Sequence, residues 1–143
     1  MRLASGDGTA LELRIDGYEF PSAADECDSN WLLVSLDVTH PHLGKWSRRD
    51  PCLETTEAAE LATWLREVAS GIDKPEISFT EPNLSFELIG REGETVTLAV
   101  LLDQEFTLWP REDNRIEIGF LTAPELLAAA EYLEEMLARF PQR

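Results

Sequence analysis

Leu84-Ser85-Phe86-Glu87-Leu88-Ile89-Gly90-Arg91-Glu92-Gly93-Glu94-Thr95-Val96-Thr97-Leu98-Ala99-Val100-Leu101-Leu102 is the stretch whose reading decides the fold. Leu84, Phe86 and Leu88 alternate with Ser85 and Glu87. That two-residue period puts one face of a strand in a core and the other in water. Gly90-Arg91-Glu92-Gly93 is short and bounded by glycine, and it reads as a hairpin loop. Residues 95–102 then pair back. The second half of this run is apolar on both faces, which predicts a central position in a sheet. Strands joined by so short a loop pair antiparallel, because a parallel return needs a crossover of a dozen or more residues.

Working outward, residues 76–80 form a short strand that stops at Glu81-Pro82-Asn83. Ile116, Ile118 and Phe120 alternate with Glu117 and Gly119 in a further strand. Thr122-Ala123-Pro124-Glu125 has capping-box spacing, with proline tolerated in a first turn, and opens a helix that runs to residue 140. Leu126, Ala130, Leu133, Leu137 and Phe140 make its apolar stripe, and Pro141 stops it. A second helix covers 55–70, capped by Thr55 or Thr56 and ended by Gly71. Its stripe is Ala58, Leu61, Leu65 and Val68, with Trp64 at the edge.

Residues 1–54 read as strands. Leu11, Leu13 and Ile15 alternate with Glu12, Arg14 and Asp16. Leu32, Val34, Leu36 and Val38 repeat the pattern after a polar loop at 22–30. A strand over 43–49 is expected to close at Asp50-Pro51. Two helices with one stripe each need a sheet face to cover. The prediction is an α+β protein, a single domain over residues 1–143. It has a curved antiparallel sheet of about seven to nine strands with both helices packed on one face.

The chain has 143 residues, 43% of them apolar, enough for a core without disulfides or metal. Lys and Arg number 12 against 28 Asp and Glu, a formal charge of −16. Such a chain repels phosphate backbones and anionic membranes and attracts a basic partner through its field. Acidity that serves only solubility is the plainer alternative. Residues 1–8 contain no apolar signal segment and no run is long enough to span a bilayer, so a cytoplasmic protein is expected. Cys27 and Cys52 give no disulfide framework.

Enzyme signatures are missing: there is no glycine-rich phosphate loop and no nucleophile elbow. A metal site from His40, His42 and Cys27 has no supporting ligand spacing. The histidines, one residue apart, would face opposite ways on an extended segment. No catalytic residue, metal or cofactor is therefore assigned. Three segments are more idiosyncratic than packing requires. They are Asp28-Ser29-Asn30-Trp31-Leu32, the stretch from Trp46 to Asp50-Pro51-Cys52-Leu53, and Glu81-Pro82-Asn83-Leu84-Ser85-Phe86-Glu87-Leu88. The bland account of each is a turn feeding a strand or helix.

Together with the Thr63-Trp64-Leu65 helix, residues 11–21 and residues 137–141, these segments make the chain resemble the WapI-type immunity proteins. The resemblance covers nearly the whole chain. It implies a small cytosolic protein that neutralises a bacterial polymorphic toxin by binding rather than chemistry. It brings no set of binding residues with it.

The residues themselves suggest a contact made of Asp25, Glu26, Asp28, Asn30 and Trp31 in the loop, with Asp50, Glu81 and Asn83. A carboxylate cluster beside an aromatic both steers and anchors a cationic surface. The expected partner is a cognate toxin domain, a basic nuclease. A small-molecule-binding or enzymatic domain with a curved-sheet pocket is the first alternative. A subunit of a larger assembly is the second.

Overall fold

The computed structural model describes residues 1–23, 28–107 and 114–143. Four strands come first: β1 (Arg2–Ala4), β2 (Ala10–Tyr18), β3 (Trp31–His40) and β4 (Gly44–Glu54). Helix α1 (Thr55–Ala69) follows, then β5 (Glu76–Ser78), β6 (Leu84–Glu92) and β7 (Thr95–Leu102). A 3-10 turn (Gln104–Phe106), β8 (Arg115–Thr122) and α2 (Ala123–Arg139) complete the order. Among the described residues the strands form two four-stranded antiparallel sheets, β1-β2-β3-β4 and β5-β6-β7-β8. The class is α+β, as the alternation requires. The strands divide between two sheets rather than running through one, because α1 carries the chain away from β4 before β5 begins. The sheets adjoin where β1 lies beside β8, and a second seam forms where β4 meets the 3-10 turn that follows β7.

Each sheet has one apolar face. In β2, Leu11, Leu13 and Ile15 are buried while Glu12, Arg14 and Asp16 are exposed. The outward residues of the first sheet pair across strands: Arg14 with Asp37 at 2.5 Å and Arg49 with Asp16 at 2.7 Å. The inward residues of both sheets join those of both helices in one apolar cluster.

Two expected boundaries move. Asp50-Pro51 does not close the fourth strand, since β4 continues to Glu54. β4 is an edge strand, where a residue without an N–H is tolerated. The register slips there, with Leu33 opposite Pro51 and Leu32 opposite Leu53, so Cys52 is the extra residue of a bulge. The hairpin is also tighter than Gly90 to Gly93. Glu92 faces Thr95, which leaves Gly93-Glu94 as the turn, with Gly93 at φ +61°.

Helix α1 is capped by Glu54 instead of Thr55 or Thr56. The buried Glu57 carboxylate accepts the Glu54 N–H at 2.9 Å and the Thr80 N–H at 2.6 Å. It thus ties the start of the helix to the segment after β5. The Thr122–Glu125 capping box opens α2, the Thr122 N–H donating to Glu125 at 2.8 Å. The two helices pack side by side, and the Arg66 guanidinium makes two 2.7 Å bonds to Glu134 across them. Helix α1 neighbours β4, and α2 neighbours β1 and β8. Trp64 meets Phe86 of β6 with ring centroids 6.1 Å apart.

The inner stripe of α2 is Leu126, Ala129, Ala130, Leu133 and Met136. Leu137, expected on the stripe, is only half-buried, because the stripe turns toward Ala129 and Met136. Leu133→Ala should cost about 2–5 kcal/mol. Leu137→Ala should cost distinctly less, under about 2 kcal/mol. Urea melts of the two variants check the ordering.

Candidate functional site

Asp50 sits on β4 opposite Val34, whose side chain is fully buried, so register turns the carboxylate to the inner side of the first sheet's edge. The start of β6 reaches it there. The Asn83 amide donates to Asp50 at 3.0 Å and to Glu105 of the 3-10 turn at 3.2 Å. Burial, then the charges of Glu105 and Glu81, push the Asp50 carboxyl above the usual carboxylate range, against the Asn83 hydrogen bond. Glu19, just past β2, is raised too, by burial and then by Asp50 and Asp28. Asp50 thus feels the charges of Glu105 and Glu81, and Glu19 those of Asp50 and Asp28, at the seam between the sheets. A cation also bridges this seam, Arg48 donating to the Thr107 carbonyl at 3.4 Å.

The residues expected to act together are thus divided. Asn83 bonds Asp50 and the Glu81 charge acts on it, while Asp28 acts on Glu19. Asn83 is buried and holds its acidic neighbours in place instead of facing outward. Asn30 is buried as well. Its side chain accepts the Arg143 N–H at 2.8 Å and donates to the Arg143 carbonyl at 3.0 Å. The Thr55 hydroxyl donates to it at 3.3 Å. The Arg143 guanidinium in turn donates to the carbonyls of Phe20, Pro21 and Ser29 and lies 3.8 Å from the Tyr18 ring centre. Phe20, Pro21, Ser29 and Asn30 are therefore all tied to Arg143. Trp31 is half-buried, one residue from the inward Leu32, and so lies on the face opposite Asp50. Asp25 and Glu26, together with Cys27, lie outside the described residues.

Glu19 and Glu105 were not singled out from sequence. Glu19 falls at the end of an alternating run and Glu105 between strands, and neither position carries a periodic signal. Only the topology brings them together.

The nucleophiles and bases here are poorly placed for chemistry. Burial, and then the charges of Asp50, Glu57 and Glu81, push the Cys52 thiol far up, away from the thiolate form that reacts. His40 and His42 do not point apart. Pro41 turns the segment, the His42 N–H donates to His40 Nδ1 at 3.2 Å, and the rings meet edge to face at 5.9 Å. Among the described residues no three His, Cys, Asp or Glu side chains are grouped to hold a metal ion. An open groove of about 420 Å³ lies between α1 and Glu76 and Ile77 of β5, and one of about 650 Å³ between the helix ends and the β6–β7 hairpin. Among the described residues no helix is long and apolar enough to cross a membrane.

The model of the Immunity protein WapI-like family matches residues 2–141 of this chain. No curated protein and no solved structure matches it.

The crowding of carboxylates at Asp50 has a measurable cost. A carboxyl whose pKa is raised in the fold weakens the fold when it ionises, and that loss is recovered as pH falls through the raised pKa. Asp50→Asn keeps an oxygen to accept from Asn83 and removes the charge. It should raise the melting temperature by a few degrees at neutral pH. The advantage should shrink as pH falls through the raised pKa, where the parent aspartate also becomes neutral. Thermal melts across that range test it.

Proposed function

The chain belongs to the Immunity protein WapI-like family, and from that premise we propose that it neutralises its cognate toxin by binding and occluding a basic toxin domain, a nuclease in the simplest case. Family membership supports an immunity role and a toxin partner. The basic character of that partner is our inference from charge. One observation supports it: Asp50 and Glu105, far apart in sequence, meet at the Asn83 amide, with the Glu81 charge acting on Asp50 as well. Groups that destabilise the fold and persist are explained when a partner's cations neutralise them.

In this reading Asp28, Asp50 and Glu81 take the place of nucleic-acid phosphates on the toxin. Asn83 fixes the geometry of Asp50 and Glu105. Asn30 holds the end of the loop that carries Asp28, and Asp25 and Glu26 are proposed as further contacts with the toxin. Trp31 flanks it from the other face of the first sheet. The chain works as one domain, in the cytoplasm, without cofactor or catalysis.

Association with the toxin domain should slow steeply with salt while dissociation changes less, because steering acts on the encounter. Replacing Asp28, Asp50 and Glu81 by their amides should lower the on-rate about tenfold at low ionic strength. Replacing Asp25, Glu26 and Asp28 should act in the same direction, with unchanged thermal stability. Binding kinetics at two salt concentrations decide the matter, and parent-like association of both triple variants at low salt would sink the proposal. His40→Ala with His42→Ala should leave protection of toxin-exposed cells intact, since no acid–base step is involved.

A further inference from the structure

The outer face of the second sheet carries a feature that packing does not explain. Phe120 is 68% exposed, and its backbone sits in the left-handed region at φ +58°. That conformation is a genuine outlier for a bulky residue and carries backbone strain. The interior gains little from a ring so open to water.

The register shows how the residue is presented. Val96 faces Leu121 and Leu98 faces Ile118, so Gly119 and Phe120 together oppose Thr97. On the other side of β7, Leu88 faces Leu98 and Gly90 faces Thr97, so Ile89 is the extra residue of a second bulge. Ile89 is 44% exposed. Both irregularities of this sheet thus fall at the same row, one on each side of the central strand. They turn two large apolar side chains outward, on strands about 10 Å apart. Bulges are devices that re-aim side chains.

The surroundings give the partner's chemistry. Outward neighbours in the same grid are Glu87, Glu92 and Glu117, with Arg115 held between Glu87 at 2.5 Å and Glu117 at 3.7 Å. The apolar pair is therefore set in a surface of surplus negative charge on a chain of net charge −16. A second copy of this chain would bring the same charge to the contact and be repelled. A cationic protein surface with an apolar pocket would not.

We propose that the outer face of β6, β7 and β8 is a second contact for the toxin domain, with Phe120 as its anchor and Ile89 beside it. It rests on the reading that the chain binds a basic toxin domain, and it adds a site whose role differs from that of the seam. The seam speeds encounter, whereas Phe120 slows escape, as a desolvated aromatic at the centre of a contact does.

The test uses the intact chain and its cognate toxin domain, produced as an inactive variant. Phe120→Asn suits the left-handed backbone and removes the ring. It should keep or raise the melting temperature while raising the off-rate at least tenfold with little change in on-rate. Ile89→Ser should act in the same sense and less strongly. The intact chain should sediment as a monomer. A melting temperature lowered by several degrees in Phe120→Asn would make the ring structural and overturn the proposal. An unchanged off-rate would overturn it too, while leaving the seam reading in place. A parent dimer broken by Phe120→Asn would make the face a self-contact and also overturn it. A parent chain that binds no toxin domain overturns both readings.

Discussion

Leu11, Leu13 and Leu36 of the first sheet and Phe86, Leu98 and Ile118 of the second all lie fully buried in one apolar cluster. Neither sheet covers its own inner face. A four-stranded sheet with one bare apolar side must be capped by something else, and here the α1–α2 pair supplies the cap. The fold depends on that shared interior. It fixes which way every strand faces, and so which carboxylates are turned outward and which are forced to the rim. Asp50 is at the rim because it shares a row with Val34, a core residue. Its crowded position follows from sheet geometry, not from any local preference for burying an acid.

Much of this was legible in the sequence. Strict alternation in 11–16 and 32–38 gave the right strands with the right inward faces. The helix over 122–140 was marked at its start by a threonine and a glutamate three residues apart, and the structure places them in a capping box. What the sequence did not carry was mostly a matter of register. A proline at position 51 reads as a stop, and only the edge position of β4 makes it a continuation. Bulges at Cys52, Ile89 and Phe120 each shift a strand by one residue, and no residue pattern announces them. The division into two sheets depends on where α1 sends the chain, which is likewise a long-range property.

Legibility of the candidate site was uneven for a related reason. Charged residues reveal themselves by type, so Asp28, Asp50 and Glu81 stood out. Asparagines do not say whether they face a partner or the interior. Asn30 and Asn83 turned inward because each has backbone or carboxyl groups from distant segments to satisfy, and a buried amide with partners is stable where one without them is not. The strap formed by Arg143 on Phe20, Pro21 and Ser29 joins positions more than a hundred residues apart in sequence. No local motif predicts such a contact.

The proline and bulge of β4 bear on a different hazard. An edge strand of eleven residues offers a row of free backbone groups to any other extended chain, and proteins at high local concentration can zip together along such rows into insoluble aggregates. β4 is poorly suited to that. Pro51 interrupts the donor row, the bulge at Cys52 breaks the repeat, and the 3-10 turn from Gln104 to Phe106 lies against the strand. Lys45, Arg48 and Arg49 add charge along it. The irregularities that obscure the strand in the sequence thus also let the protein accumulate in quantity without its copies adhering to one another.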